Sequence, residues 1–220
     1  MKKYIAILLA AAMATLGISA CRKENSNKET KVQKDSDIKV VTTIFPEYDW
    51  VRQIAGEEAD QMDITMLLDN GVDLHSYQPT AEDIMKVSDC DLFVYVGGES
   101  DAWVDDALKQ AKNKDMQVVD LLDVLGNSAK EEEVIEGMEP EEEEEEPEYD
   151  EHVWLSVKNA EVLSKAIADA LEKADPDHKD IYQENASAYS EKLKDLDAKY
   201  QEVVDGASQK TLLFGDRFPF

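Results

Sequence analysis

Leu92-Phe93-Val94-Tyr95-Val96-Gly97-Gly98 is the stretch that decides the fold class. A strand with one face in water alternates apolar and polar residues, whereas a near-continuous apolar run is the pattern of a strand covered on both faces. The two glycines end it, and residues 102–111 follow with helical patterning. Upstream, Ile38-Lys39-Val40-Val41-Thr42-Thr43-Ile44 is short and β-branched, a predicted strand. A helix is predicted over 47–56, with Trp50, Val51 and Ile54 on one face and Gly56 placed to end it. Met62-Asp63-Ile64-Thr65-Met66-Leu67 alternates as a second strand, and Asn70-Gly71 breaks it with turn chemistry. Thr80-Ala81-Glu82-Asp83 reads as a capping-box variant opening a short helix through Val87. Downstream, Gln117-Val118-Val119-Asp120 is a fourth, shorter strand. Repeated βα units of this size predict an α/β fold with a parallel sheet and right-handed crossovers.

The pattern changes over residues 131–151, where nearly every position is acidic and the run 141–146 is bracketed by Pro140 and Pro147. Mutual repulsion and the shortage of apolar residues predict a solvated, mobile loop over about 127–150. Ala160, Leu163, Ala166, Ile167, Ala170 and Leu171 then recur at helical spacing. Asp175-Pro176 is suited to N-cap and N1 of the next helix. There Tyr182, Ala186, Tyr189, Leu193, Leu196, Tyr200 and Val203 step by four and three, predicting one amphipathic helix of about thirty residues, roughly 45 Å long. Thr211-Leu212-Leu213-Phe214 reads as a further strand, and the sequence stops at Phe220, which suggests truncation.

The first residues have the order of an export signal. Met1-Lys2-Lys3 is a basic head, 4–18 are apolar, and Ser19-Ala20-Cys21 closes the run with small residues. The apolar stretch is short for a permanent membrane span. Ile18-Ser19-Ala20-Cys21 resembles a bacterial lipobox, in which the cysteine is acylated, and the polar residues 22–37 suit a tether. The expected location is therefore the outer face of the cytoplasmic membrane, anchored through lipidated Cys21. The second and last cysteine, Cys90, then has no partner, which excludes a disulfide framework and makes it a buried small residue. Losing Lys2 and Lys3 with the signal takes the formal net charge from −27 to about −29. Such a charge argues against nucleic acid as a partner and is compatible with attracting cations.

Three histidines are present. His75 lies in Gly71-Val72-Asp73-Leu74-His75-Ser76-Tyr77-Gln78-Pro79-Thr80, a loop leaving a strand and entering a helix, where open α/β sheets place ligands. His152 lies in Asp150-Glu151-His152-Val153-Trp154-Leu155-Ser156, again where loop passes into helix. His178, among charged neighbours, reads as a surface residue. No short-range ligand spacing links His75 to His152, so spacing by itself leaves both open as ordinary surface or core histidines.

Thr42-Thr43-Ile44-Phe45-Pro46, the segment around His75, residues 91–99 with Trp103, and Glu151-His152-Val153-Trp154-Leu155-Ser156 stand here in the order they take in one family. They resemble the zinc- and manganese-specific solute-binding lipoproteins of bacterial ABC transporters, from about Ile38 to Phe220. The resemblance implies two α/β lobes joined by one long helix, with the metal between the lobes. It divides the chain into a signal over 1–20, a tether over 21–37, a metal-binding lobe over 38–175, an interlobe helix over 176–207 and the first strand of a second lobe over 208–220. It maps His75 and His152 onto the first two ligands. The third ligand of zinc-type members is a histidine in the strand after the long helix. Here Gly215 stands at or near that place, and Asp216 could supply an oxygen instead. The fourth ligand of such proteins falls beyond Phe220.

The implied function is capture of Zn2+, with Mn2+ second, and delivery to an ABC-transporter permease by a monomer without catalytic activity. Imidazoles favour zinc, and added carboxylates move preference toward manganese. A zinc-dependent hydrolase is the rival, since catalytic zinc also keeps an open position. No His-Glu-x-x-His motif and no nucleophile elbow accompany the histidines. A surface adhesion protein on the same scaffold is the third reading.

Overall fold

The computed structural model describes residues 38–69, 71–131 and 149–211. Four strands, β1 (Lys39–Thr42), β2 (Asp63–Met66), β3 (Leu92–Tyr95) and β4 (Gln117–Asp120), form one sheet in the order β2-β1-β3-β4. Every pairing is parallel, with Val41 opposite both Thr65 and Phe93, and Phe93 opposite Val118. The first four expected strands are present, three of them shortened by one or two residues at an end and β4 with the bounds expected, while the fifth, expected over 211–214, lies outside the described residues but for Thr211.

Between β1 and β2 lies α1 (Phe45–Ala55), and between β2 and β3 lies α2 (Ala81–Asp89). The first crossover runs one way along the sheet and the second runs back past β1. Right-handed connections therefore put α1 and α2 on opposite faces. Both faces of the central strands are covered, which is why Val40, Leu92, Phe93 and Val94 are all fully buried. Each such side chain contributes roughly 1.5–3 kcal/mol of transfer free energy. The reversal of direction leaves a crevice between β1 and β3 at the carboxyl ends of the strands, the place where such sheets bind ligands.

Local signals start and stop these helices. Thr80 caps α2: its hydroxyl accepts from the Asp83 amide at 3.2 Å, and the Asp83 carboxylate accepts from the Thr80 amide at 2.9 Å. This is the capping box expected from the sequence. Glu47 does the same for α1 from inside the core, accepting from the amides of Thr43 and Ile44 at 2.8 and 3.1 Å. After β3 comes α3 (Val104–Lys109), and α4 (Leu121–Leu125) begins directly after the last residue of β4. The sequence reading missed α4, because Asp120 serves both as strand residue and as the N-cap that accepts from the Asp123 amide.

Two longer helices, α5 (Val157–Ala174) and α6 (Lys179–Gly206), pack on α1 and on each other. The expected Asp175-Pro176 start is corrected in detail. Pro176–His178 form a 3-10 turn before α6, and Asp175 makes no side-chain cap. Its carboxylate instead accepts from the Tyr182 hydroxyl at 2.6 Å and faces His178 Nδ1 at 2.7 Å. His178, expected at the surface, is only partly exposed and also lies 3.6 Å from Glu58. The apolar stripe of α6 is covered over its first half, where Tyr182 and Leu193 are buried. Leu196, Tyr200 and Val203 continue it exposed. Among the described residues no helix is long and apolar enough to cross a membrane. The expected signal, the tether with Cys21, the middle of the acidic loop (132–148), and Leu212 to Phe220 with Asp216 lie outside the described residues.

Candidate metal centre

His75 is placed by a single 3-10 turn, Leu74–Ser76, in the loop that leaves β2. Leu74 anchors the turn in the core, and Asp73 Oδ1 accepts from the His75 amide at 3.1 Å. These two fixings leave the imidazole half-exposed above the carboxyl end of the sheet. Its Nδ1 lies 3.0 Å from Ser100 Oγ and 3.6 Å from Glu151 Oε2.

His152 arrives from the other side, at the end of the acidic segment. The two described ends of that segment meet: the Asp150 amide donates to Lys130 O at 2.9 Å, and Glu131 bridges Tyr149 in antiparallel fashion. Asp150 Oδ1 accepts from the His152 amide at 2.9 Å and also lies 2.9 Å from His152 Nδ1. Val153 is buried, Asn159 donates to Val153 O at 3.1 Å, and Ser156 caps α5 by accepting from the Asn159 amide at 3.3 Å. The chain is therefore held on both sides of His152.

The two rings come together with centroids 5.4 Å apart and planes 52° apart. An imidazole bound to zinc through nitrogen at about 2.0–2.1 Å has its centroid roughly 3.1 Å from the ion, so two tetrahedral imidazoles sit about 5.1 Å apart, centre to centre. The observed separation fits that requirement. Each ring has its Nδ1 facing a carboxylate, Glu151 at 3.6 Å for His75 and Asp150 at 2.9 Å for His152, and among the described residues neither Nε2 makes a hydrogen bond. Trp154 packs against the outer ring, 5.3 Å from His152.

Underneath lies a group of buried acids that the sequence reading did not select. Asp101 Oδ2 accepts from the amides of Val96 and Gly97 at 3.0 and 3.1 Å. Burial pushes its carboxyl up to about 6, with Glu151 and Asp120 adding repulsion. Glu47 is fully buried, and desolvation holds its carboxyl well above the usual range, with Asp101 contributing in the same direction. Burial also raises Asp120. Burial is the larger cause in each of the three, since it disfavours the charged form, and the repulsion from neighbouring acids adds to it.

Glycine is required in two places here. Gly97 and Gly98 have φ of 90° and 76°, and a Cβ on them would run into the carboxylates of Asp120 and Glu151 respectively. The pair read at first as a strand terminator thus lets both acids reach the end of β3. Glu151 was assigned to the mobile acidic run, yet it is buried. Its place directly before His152 was the available signal. Cys90 is fully buried as expected, and burial pushes its thiol up to about 12.

Among the described residues no group of three or more His, Cys, Asp or Glu side chains is arranged to hold a metal. His75 and His152 form a pair, with Glu151 behind His75 on its Nδ1 side.

The fold and the crevice define a class, the α/β binding proteins that take a ligand at the carboxyl end of a parallel sheet. The family follows from comparison. The family model described as zinc-uptake complex component A, periplasmic, matches residues 40–217, and the chain belongs to that family. The zinc-binding lipoprotein AdcA of Streptococcus pneumoniae is 34% identical over 215 residues, covering 96% of this chain and 40% of that protein. The high-affinity zinc uptake system protein ZnuA of Bacillus subtilis is 33% identical over 219 residues, covering 96% of this chain and 65% of that protein. The crystal structure of Zn(II)-bound AdcA from Streptococcus pneumoniae superposes with a TM-score of 0.63 at 31% identity, covering 80% of this chain and 34% of that one. The chain thus spans between two fifths and two thirds of the length of these two relatives.

Proposed function

We propose that this protein captures a divalent transition metal outside the cytoplasmic membrane, zinc before manganese, and hands it to an ABC-class permease. Nε2 of His75 and Nε2 of His152 are the ligands, and the protein performs no bond-breaking step. The observation that carries this reading is the pair of imidazoles 5.4 Å apart, each with Nδ1 turned to a carboxylate and Nε2 left available. Family membership and the zinc-binding names of the relatives support the choice of metal. Neutral nitrogen ligands also favour zinc over manganese. Two imidazoles fill half of a tetrahedral shell, and Asp216 is the residue we assign to the third position. Cys21 carries the lipid that keeps the protein at the membrane.

Calorimetric titration of zinc and manganese into the full chain tests this. His75→Ala and His152→Ala each weaken zinc binding about tenfold or more. His178→Ala and deletion of residues 131–148 leave the tight phase intact. Unchanged affinity in both histidine variants refutes the assignment.

A further inference from the structure

Glu151 is built into the site more firmly than a member of a solvated acidic run should be. Its side chain is 9% exposed. One oxygen, Oε1, accepts from the Ser100 amide at 2.9 Å. The space it fills exists because Gly98 has no Cβ. The other oxygen, Oε2, is buried and has no hydrogen-bond partner among the described residues. A buried carboxylate oxygen left without a donor is costly, at roughly 1–3 kcal/mol or more, so its surroundings call for one. His75 Nδ1, at 3.6 Å, stands where that donor is needed.

We infer that Glu151 is the positioning residue for His75. Its carboxylate keeps the proton of the neutral imidazole on Nδ1, so that the lone pair sits on Nε2 and faces the point shared with His152. The inference rests on the metal-capture reading given above and deepens it. The chemistry of the partners decides the tautomer. Ser100 Oγ, 3.0 Å from the same nitrogen, can donate or accept and by itself allows either form. A carboxylate can only accept, and it therefore selects the form with hydrogen on Nδ1. Asp150 stands in the same relation to His152, with Oδ1 2.9 Å from Nδ1. Consecutive residues at the end of the acidic segment thus orient the two histidines, one each. A metal-binding histidine whose second nitrogen is held by a carboxylate is both better aimed and more basic.

The test is made first on the metal-free full chain. Long-range proton–nitrogen NMR of 15N-histidine-labelled protein reads which nitrogen of His75 carries the proton at a pH where the ring is neutral. We expect the Nδ1–H form in the parent protein, a loss of that preference in Glu151→Ala, and its survival in Ser100→Ala. Glu151→Gln keeps the shape and one acceptor oxygen, so it separates positioning from folding. We expect it to retain the fold by circular dichroism and to show a mixed tautomer population. Zinc titration then follows, with binding weakened about 10- to 100-fold in Glu151→Ala and less in Glu151→Gln. An Nε2–H ring in the parent protein, or a tautomer indifferent to Glu151, overturns the inference. If the tautomer shifts as expected while His75→Ala leaves zinc affinity unchanged, positioning stands and the metal-capture reading fails.

Discussion

Replacing Gly98 by alanine probes the cradle of Glu151 through the backbone, and the size of the effect can be worked from two parts. Gly98 has φ 76° and ψ −164°, a region open essentially to glycine alone, and placing another residue there costs about 1–3 kcal/mol. The new Cβ also occupies the space of the Glu151 carboxylate, which must withdraw from the Ser100 amide. A hydrogen bond to a charged group contributes about 1.5–3 kcal/mol. The two together predict about 2.5–6 kcal/mol of destabilisation for Gly98→Ala. In a Glu151→Ala background only the backbone part remains, about 1–3 kcal/mol. The two substitutions should therefore be less than additive, with a coupling energy of about 1.5–3 kcal/mol. Urea denaturation of the four proteins of this cycle, followed by tryptophan fluorescence without metal, measures it. If Gly98→Ala costs the same in both backgrounds to within about 0.5 kcal/mol, the carboxylate does not occupy that space and the reasoning fails.

Two further outcomes are expected from the same packing. Asp175 holds the His178 imidazole above its ordinary value by hydrogen bonding, with Glu58 adding attraction. A raised folded-state value means that this contribution is fully present below the unfolded imidazole value, about 6.5, and is lost as pH rises through the higher folded one. The stability difference between the parent and His178→Ala should thus be larger at pH 6 than at pH 9, modestly so because the ring is partly solvated. A difference independent of pH refutes it. The Cys90 thiol, buried against Val87 and Met116, should resist a thiol-specific reagent at pH 8 in the native protein and react once urea unfolds it. Rapid native labelling of Cys90 would contradict the packing.

Much of the fold was legible because the strands that carry it obey a simple pattern. Leu92 to Val96 is apolar throughout because α-helices cover both sides of β3, and that one run implied parallel pairing. The Thr80–Asp83 box was legible because both partners lie within one turn. Helix α4 was not, since Asp120 hands the chain from strand to helix with no intervening breaker. The stripe along α6 told which face is apolar, but periodicity does not say what covers it, and Leu196, Tyr200 and Val203 stand exposed. At the site, the flanking motifs brought out His75 and His152. Glu151 stayed hidden because its burial is decided by Gly98 and Ser100, some fifty residues upstream. A composition average over 131–151 treats it like every other acid in that run.

The junction at which Lys130 and Asp150 join has a consequence for how this protein can change over time. The strand-like contact between Glu131 and Tyr149 brings the two ends of the acidic segment to one place, so its length enters stability through the closing of those ends. Closing a flexible loop costs entropy only logarithmically in its length, so doubling or halving it shifts stability by about 0.6 kcal/mol. Insertions, deletions and wholesale changes of composition can accumulate there at little cost, while Asp150, Glu151 and His152 just past the junction stay in register with His75. A segment free to drift thus ends a single step from residues that cannot.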